Sequence, residues 1–249
     1  MRNIAMILTY EGTAYHGWQV QKNGETIESV LNRAIGELTG EEIHVMGSSR
    51  TDAGVHACGN VAVFDTEARM AADKFSYALN QRLPEDIRIQ DSCEVPADFH
   101  PRFQKTVKTY EYRILNREFP LPAYRFNSHF TYRKLDVERM RQAAAYLIGE
   151  HDFQSFCAAG AQVKTTVRTI YALDVEKQGD LIILRITGNG FLYNMVRIIA
   201  GTLMKIGQGD WEPERIPEIL AGCDRQLAGP TAPARGLTLM EIHFKGEKG

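Results

Sequence analysis

Within seven residues the chain places a guanidinium, a hydroxyl, a carboxylate and an imidazole: Arg50-Thr51-Asp52-Ala53-Gly54-Val55-His56. Gly54 leaves the backbone free to turn sharply among them. A carboxylate such as Asp52 acts as a nucleophile, or stabilises a developing cation, when a neighbouring positive charge keeps it ionised. His56 is the residue type that serves as acid or base near neutral pH. Apolar alternation before the stretch (Ile43, Val45) and after it (Val61, Val63) makes it a loop between two strands, where reactive groups are commonly presented. Asp-Ala-Gly is equally an ordinary turn, and His56 equally a hydrogen-bonded loop histidine. The loop acquires chemistry only through partners elsewhere in the chain.

Arg197 is the first candidate partner. It is the only charged residue from Gly188 to Met204, inside the run Gly190-Phe191-Leu192-Tyr193-Asn194-Met195-Val196-Arg197. A guanidinium on a largely buried helix must find a carboxylate or several carbonyls, or else snorkel to water. Asp52 is the obvious carboxylate. A second candidate is Lys108-Thr109-Tyr110-Glu111-Tyr112-Arg113, where strand alternation puts Lys108, Tyr110 and Tyr112 on one face. Either tyrosine is plain core or, with Arg102, Lys105, Lys108 and Arg113 around it, a surface on which an unpaired base stacks. His16 and Trp18, in Tyr15-His16-Gly17-Trp18-Gln19, are a weaker pair, with a core Trp in a turn the simpler reading. Gly229-Pro230-Thr231-Ala232-Pro233-Ala234-Arg235-Gly236 is a rigid loop, either a connection or a cleft wall.

These residues need elements to hold them. Periodicity predicts a strand at 3–10, a helix near 26–39, strands at 42–47 and 60–66, a helix near 70–81 and a strand at 87–95. The first helix carries Ile27, Val30, Leu31, Ala34, Ile35 and Leu38 at helical spacing. The order β-α-β-β-α-β then recurs. A strand at 105–115 is followed by a Pro- and aromatic-rich insertion over 116–134 and a helix near 136–149. A hairpin of 166–176 and 180–187 turns at Gln178-Gly179-Asp180. A strongly apolar helix at 191–206, a short helix from about Pro213 and a strand at 237–244 complete it. The expected fold is therefore α+β, two ferredoxin-like units spanning 1–101 and 102–249 with a central cleft between them. The repeat is one of pattern, without visible sequence identity.

Composition narrows the class. The apolar fraction of 44% and charged fraction of 24% are those of a globular protein. The N-terminus lacks the apolar run and cleavage site of a signal peptide, and no charge-free stretch approaches the ~20 residues that span a bilayer. Cys58, Cys93, Cys157 and Cys223 lie far apart without a Cys-x-x-Cys pair, which points to free thiols in the cytoplasm and to no metal. Net charge is −2, yet eight Lys/Arg stand against Glu111 and Glu118 between Phe99 and Leu135, with nine aromatics in the same stretch. Local concentration of cations, not the total, is what a nucleic acid meets.

Taken together, Tyr15-His16-Gly17-Trp18-Gln19, the Arg50-to-His56 loop, Tyr110-Glu111-Tyr112 and the Gly190-to-Arg197 run resemble the bacterial tRNA pseudouridine synthase A family across essentially the whole chain. Thr231-Ala232-Pro233-Ala234-Arg235-Gly236-Leu237 adds to the match. One departure is Ser49, where many members have Gly. The resemblance implies that Asp52 is the catalytic aspartate and that Tyr110 stacks on the target base. It implies further that Arg197 pairs with Asp52 and that Arg50 helps extrude the nucleotide. Leu192 would add an apolar wall to the base pocket. It also implies a pseudouridine-synthase fold and isomerisation of uridines at positions 38, 39 and 40 of the tRNA anticodon stem-loop, by a homodimer that needs no metal or cofactor. Two rivals remain on residues alone. A non-catalytic RNA-binding protein of two ferredoxin-like units would leave Arg50, Asp52 and Arg197 without a purpose. A nucleoside or glycoside hydrolase normally needs a second carboxylate near the first, and the Arg50-to-His56 loop holds none besides Asp52.

Overall fold

A computed structural model describes residues 1–160 and 163–245. The chain forms two compact units, one of Met1–Lys105 with the residues from Leu239 on, the other of Thr106–Thr238.

The first unit contains β1 (Arg2–Tyr10), α1 (Ile27–Thr39), β2 (Met46–Gly47), β3 (His56–Thr66), α2 (Phe75–Asn80) and β4 (Ile87–Val95). β1 lies between β3 and β4 and runs antiparallel to both, with Ile4 opposite Phe64 on one side and Glu94 on the other. β2 pairs with β3 through Met46 and Val63. Ile4, Met6 and Leu8 alternate into the core, while Ile7 on the other face is 42% exposed. α1 buries Ile27, Val30, Leu31, Ala34 and Ile35 along one stripe. Its start is fixed by a capping box between Thr26 and Ser29, and its end by Gly40 at φ 76°.

Two expected elements are shorter than their periodicity suggests. The strand foreseen at 42–47 is reduced to Met46–Gly47, although Ile43 and Val45 are buried. The Val45 N–H is taken by the Asn32 side chain of α1 at 2.8 Å, so it is not available to a strand ladder. The helix foreseen over 70–81 becomes a 3₁₀ turn at Ala72–Lys74 followed by the single α turn and a half of α2.

The second unit contains β5 (Thr106–Asn116), β6 (His129–Thr131), α3 (Val137–Ala145), β7 (Gly149–Asp152), β8 (Val167–Gln178), β9 (Leu181–Gly188), α4 (Met195–Gly207) and α5 (Arg215–Gly222). A last strand, β10 (Leu237–Phe244), ends within the first unit, where it follows β3 in the sheet. β9 is central, antiparallel to β5 and β8, with Tyr110 opposite Ile186 and Tyr112 opposite Leu184. β7 pairs with β8, and β6 runs parallel to β5 inside the 116–134 insertion. Neither short strand was foreseen, because three or four residues carry no readable period. α3 starts at the Asp136 cap and packs on α4 so closely that a Cβ on Gly207 would meet the Met140 sulfur at 2.8 Å.

The apolar helix expected from residue 191 begins only at Met195. Asn194 sits at φ 60°, a left-handed conformation that breaks the helical path. Phe191, Leu192 and Tyr193 therefore belong to an irregular segment before α4. Among the described residues no helix is long and apolar enough to cross a membrane.

Candidate active site

In the first unit the Asp52 loop is built from outside. Asp52 O accepts from Val55 N–H at 3.1 Å, closing a four-residue turn whose third position, Gly54, has φ 77°. Ala53 is not among the non-glycine residues at positive φ, so the turn has type II character and needs glycine where it has one. The Tyr15-to-Gln19 segment lies against this turn. Trp18 N–H donates to Thr51 O at 3.0 Å, and Gly54 N–H to Tyr15 O at 3.3 Å. The backbones approach so closely that a Cβ on Gly12 would lie 2.0 Å from Val55 O. Tyr15 is itself tied to Asp86 by a 2.6 Å hydrogen bond from its hydroxyl; burial, with the Asp86 bond, pushes its pKa up. Trp18 is 1% exposed and is core, as the simpler reading held, while His16 is on the surface.

Below the turn runs a buried polar chain that sequence reasoning missed. The Thr51 and Tyr10 hydroxyls share a 2.8 Å hydrogen bond, and Asn60 donates to both the Tyr10 hydroxyl (3.2 Å) and Ser49 O (3.0 Å). Asn60 is fully buried. Such a chain fixes the loop because breaking any member leaves a buried polar group unmet. Nothing in the local pattern marks Asn60, which sits in an ordinary apolar strand. Thr51 thus holds the loop from within. His56 opens β3, is buried, and accepts from Gly12 N–H at Nδ1 (3.0 Å), with the Glu11 carboxylate 3.5 Å away. That bond ties the start of β3 to the Gly12 backbone. Asp52 remains half-buried at the first corner of the turn, and Arg50 is exposed. Burial, reinforced by Arg102 and opposed by Glu28, lowers the Arg50 pKa.

In the second unit, Tyr110 is 7% exposed and meets Phe191 edge to face at 5.2 Å between ring centroids. Leu192 beside it is buried. Tyr112, two residues along the same face of β5, is core: its hydroxyl donates to Pro233 O at 2.9 Å. Burial pushes its pKa up, against the opposing pull of Arg197 and Arg235. Arg197 is half-buried at the start of α4. Its Nε donates to Ala232 O and its Nη1 to Asn194 Oδ1, each at 2.7 Å. The 229–236 loop is therefore bound to α4, and a Cβ on Gly201 would collide with Pro230 O.

The basic stretch is less free than its composition implied. Glu111, 2% exposed on the opposite face from Tyr110, accepts from Arg113 at 2.7 Å and Arg185 at 2.9 Å. Arg117 pairs with Asp180 and Arg133 with Asp210. Three of the eight cations are thus neutralised internally, and Arg113 does not join Tyr110 in a stacking surface. The buried Glu111 pair left no signal in sequence, since its second arginine lies 74 residues away.

A family model described as tRNA pseudouridine synthase matches residues 6–104 and 143–245, which include Asp52, Leu192 and Arg197. The chain belongs to the tRNA pseudouridine synthase family. It is 48% identical to tRNA pseudouridine synthase A of Acetivibrio thermocellus over 98% of this chain and 100% of that protein. It is 49% identical to the proteins of the same name from Ruminiclostridium cellulolyticum and Brevibacillus brevis, again over 98% of this chain and 100% of each. The enzyme is an isomerase that converts uridine to pseudouridine in tRNA.

Proposed function

We propose that the enzyme isomerises uridines 38, 39 and 40 of the tRNA anticodon stem-loop, with Asp52 as the nucleophile. The observation that carries this is the half-buried Asp52 on a turn pinned by Trp18, Tyr15 and the Thr51–Tyr10–Asn60 chain. The N1–C1′ bond breaks, uracil turns while held in the site, C5 bonds to C1′, the C5 proton leaves to solvent and N1 takes up a proton in its place. Atoms balance without a redox partner, and the reading calls for neither metal nor cofactor. Asp52 attacks the sugar or base and is released again before the product leaves, and Arg197 serves as its counter-charge. Tyr110 stacks on the uracil with Leu192 beside it, and Arg50 helps extrude the target nucleotide. Extrusion costs a few kcal/mol, which cationic contacts to phosphate offset.

In this reading the chain is two ferredoxin-like units, 1–101 and 102–249. The order β4-β1-β3 with β2 on the outer side of β3 supports the first of them. The enzyme works as a cytoplasmic homodimer holding one tRNA across both subunits, which would gather the basic stretch of each chain around an RNA that a net charge of −2 attracts weakly.

Incubation with anticodon stem-loop RNA tritiated at uridine C5 tests the reading. Tritium is expected in water with the RNA chain intact, and Asp52→Ala should lower release at least about 10⁴-fold. Retained tritium, or full release by the variant, overturns it. Free uracil would mark a hydrolase, and binding without release a passive RNA-binding protein.

A further inference from the structure

A second feature of the first unit lies beside the Asp52 loop. The Pro96-to-Arg102 connection is a fixed platform. Asn3, 3% exposed, donates from Nδ2 to Pro96 O at 3.3 Å and to Phe99 O at 3.0 Å. The Phe99 ring meets Phe244 edge to face at 5.5 Å. Ser48 Oγ donates to Pro101 O at 3.1 Å, which ties the connection to the chain entering the Asp52 loop.

On this platform the Phe103 ring lies stacked on His100, 4.1 Å between centroids and 22° from parallel, and is nevertheless 82% exposed. An aromatic side chain so exposed and so ordered has hydrocarbon surface left over for a flat partner. Arg102 precedes Phe103 in the chain, and Arg50 lies near Arg102. Neither guanidinium has a hydrogen bond or ion pair among the described residues, and the two are close enough to act on each other's charge. Other surface arginines of this chain, Arg2, Arg33, Arg139, Arg141 and Arg215, have found carboxylates. Glu28, the acid felt by Arg50, already accepts from Val20 N–H at 2.7 Å. Two like charges near each other, neither engaged by a hydrogen bond or ion pair among the described residues, suit a bridging anion.

We propose that Phe103, Arg102 and Arg50 form a subsite for a nucleotide next to the target uridine, its base stacked on Phe103 and its phosphate held by the two guanidinia. This rests on the RNA-isomerase reading above and extends it to Arg102 and Phe103. Arg50 stands two residues from Asp52, so the subsite takes a neighbour of the reacting nucleotide and not a distant part of the RNA. Stacking tolerates any base, so the contact supplies affinity and register without demanding a sequence.

The test uses full-length enzyme and tritiated stem-loop RNAs, one intact and others with a single abasic residue at each position flanking the target. Phe103→Leu should lower kcat/KM on intact RNA by roughly 5- to 150-fold, mainly through KM, and Phe103→Trp should restore it. One abasic RNA should cost wild type a similar factor, and the two losses should not multiply when combined. Arg102→Gln should reduce the slope of log(kcat/KM) against log salt by about one. Equal thermal melts of wild type and variants would exclude a folding cause. Unchanged turnover by Phe103→Leu, or losses that multiply with every abasic RNA, overturns the subsite alone. Absence of tritium release by wild type from intact RNA overturns the isomerase reading itself.

Discussion

Arg197 and Ala232 are joined by two hydrogen bonds that run in opposite directions: Arg197 Nε donates to Ala232 O at 2.7 Å, and Ala232 N–H donates to Arg197 O at 3.0 Å. The pair fixes both the first turn of α4 and the 229–236 loop. It also fixes the guanidinium plane, because Nη1 is held at the same time by Asn194. A side chain with one ammonium cannot reproduce that geometry.

Arg197→Lys should therefore cost about 1–2 kcal/mol of stability, a fall in Tm of roughly 2–8 °C for a chain of this size. Calorimetry checks the first effect. Tritium release at a temperature where both proteins are folded checks the second, and it should fall even after correction for folded fraction if Arg197 is the counter-charge to Asp52.

The two tyrosines of β5 should separate stability from chemistry. Tyr112→Phe removes the donor to Pro233 O and should cost about 1 kcal/mol while leaving turnover nearly intact. Its burial-raised pKa keeps the Tyr112 proton in place near neutral pH. Tyr110→Phe should bind stem-loop RNA normally yet turn over poorly. Wild-type turnover by Tyr110→Phe would show that its hydroxyl moves no proton, and collapse with Tyr112→Phe would place that hydroxyl in the reaction.

His129 should give the enzyme an acid-sensitive stability. Burial lowers its pKa, with Arg235 adding to the effect, and its Nδ1 is buried without a hydrogen-bond partner. The unfolded imidazole takes its proton near pH 6.5 whereas the folded one resists until lower pH. As pH falls through that window the unfolded state binds more protons, so stability is lost on the acid side and is full above it. Urea midpoints at pH 7.5, 6.5 and 5.5 should fall less steeply for His129→Gln than for wild type. Parallel curves would remove His129 as the cause.

Much of the frame was legible because its signals are local. The apolar stripe and Thr26/Ser29 box of α1, the last strand at 237–244 and the glycine at the left-handed corner of the Asp52 turn each depend on a few neighbouring residues. Side-chain periods and turn preferences act over that range. What failed was equally specific. Ile43 and Val45 have a strand's pattern, yet Asn32 of α1 intercepts Val45 N–H. Residues 191–194 have a helix's apolarity, yet Asn194 turns left-handed before Met195.

The residues of the Asp52 loop divide along the same line. By itself the sequence determined that a carboxylate, a cation, a hydroxyl and an imidazole share one glycine-turned loop, and its resemblance pointed to the right family. Only the tertiary structure decided which distant partners hold them. Thr51 is held by Tyr10, 41 residues away, and His56 by Gly12, 44 away, while Arg50 stays exposed and Asp52 half-buried at the corner of the turn. The physical reason is that a polar side chain's role is set by the partner that desolvates and hydrogen-bonds it, and that partner is chosen by packing across the sheet, beyond the reach of any local pattern.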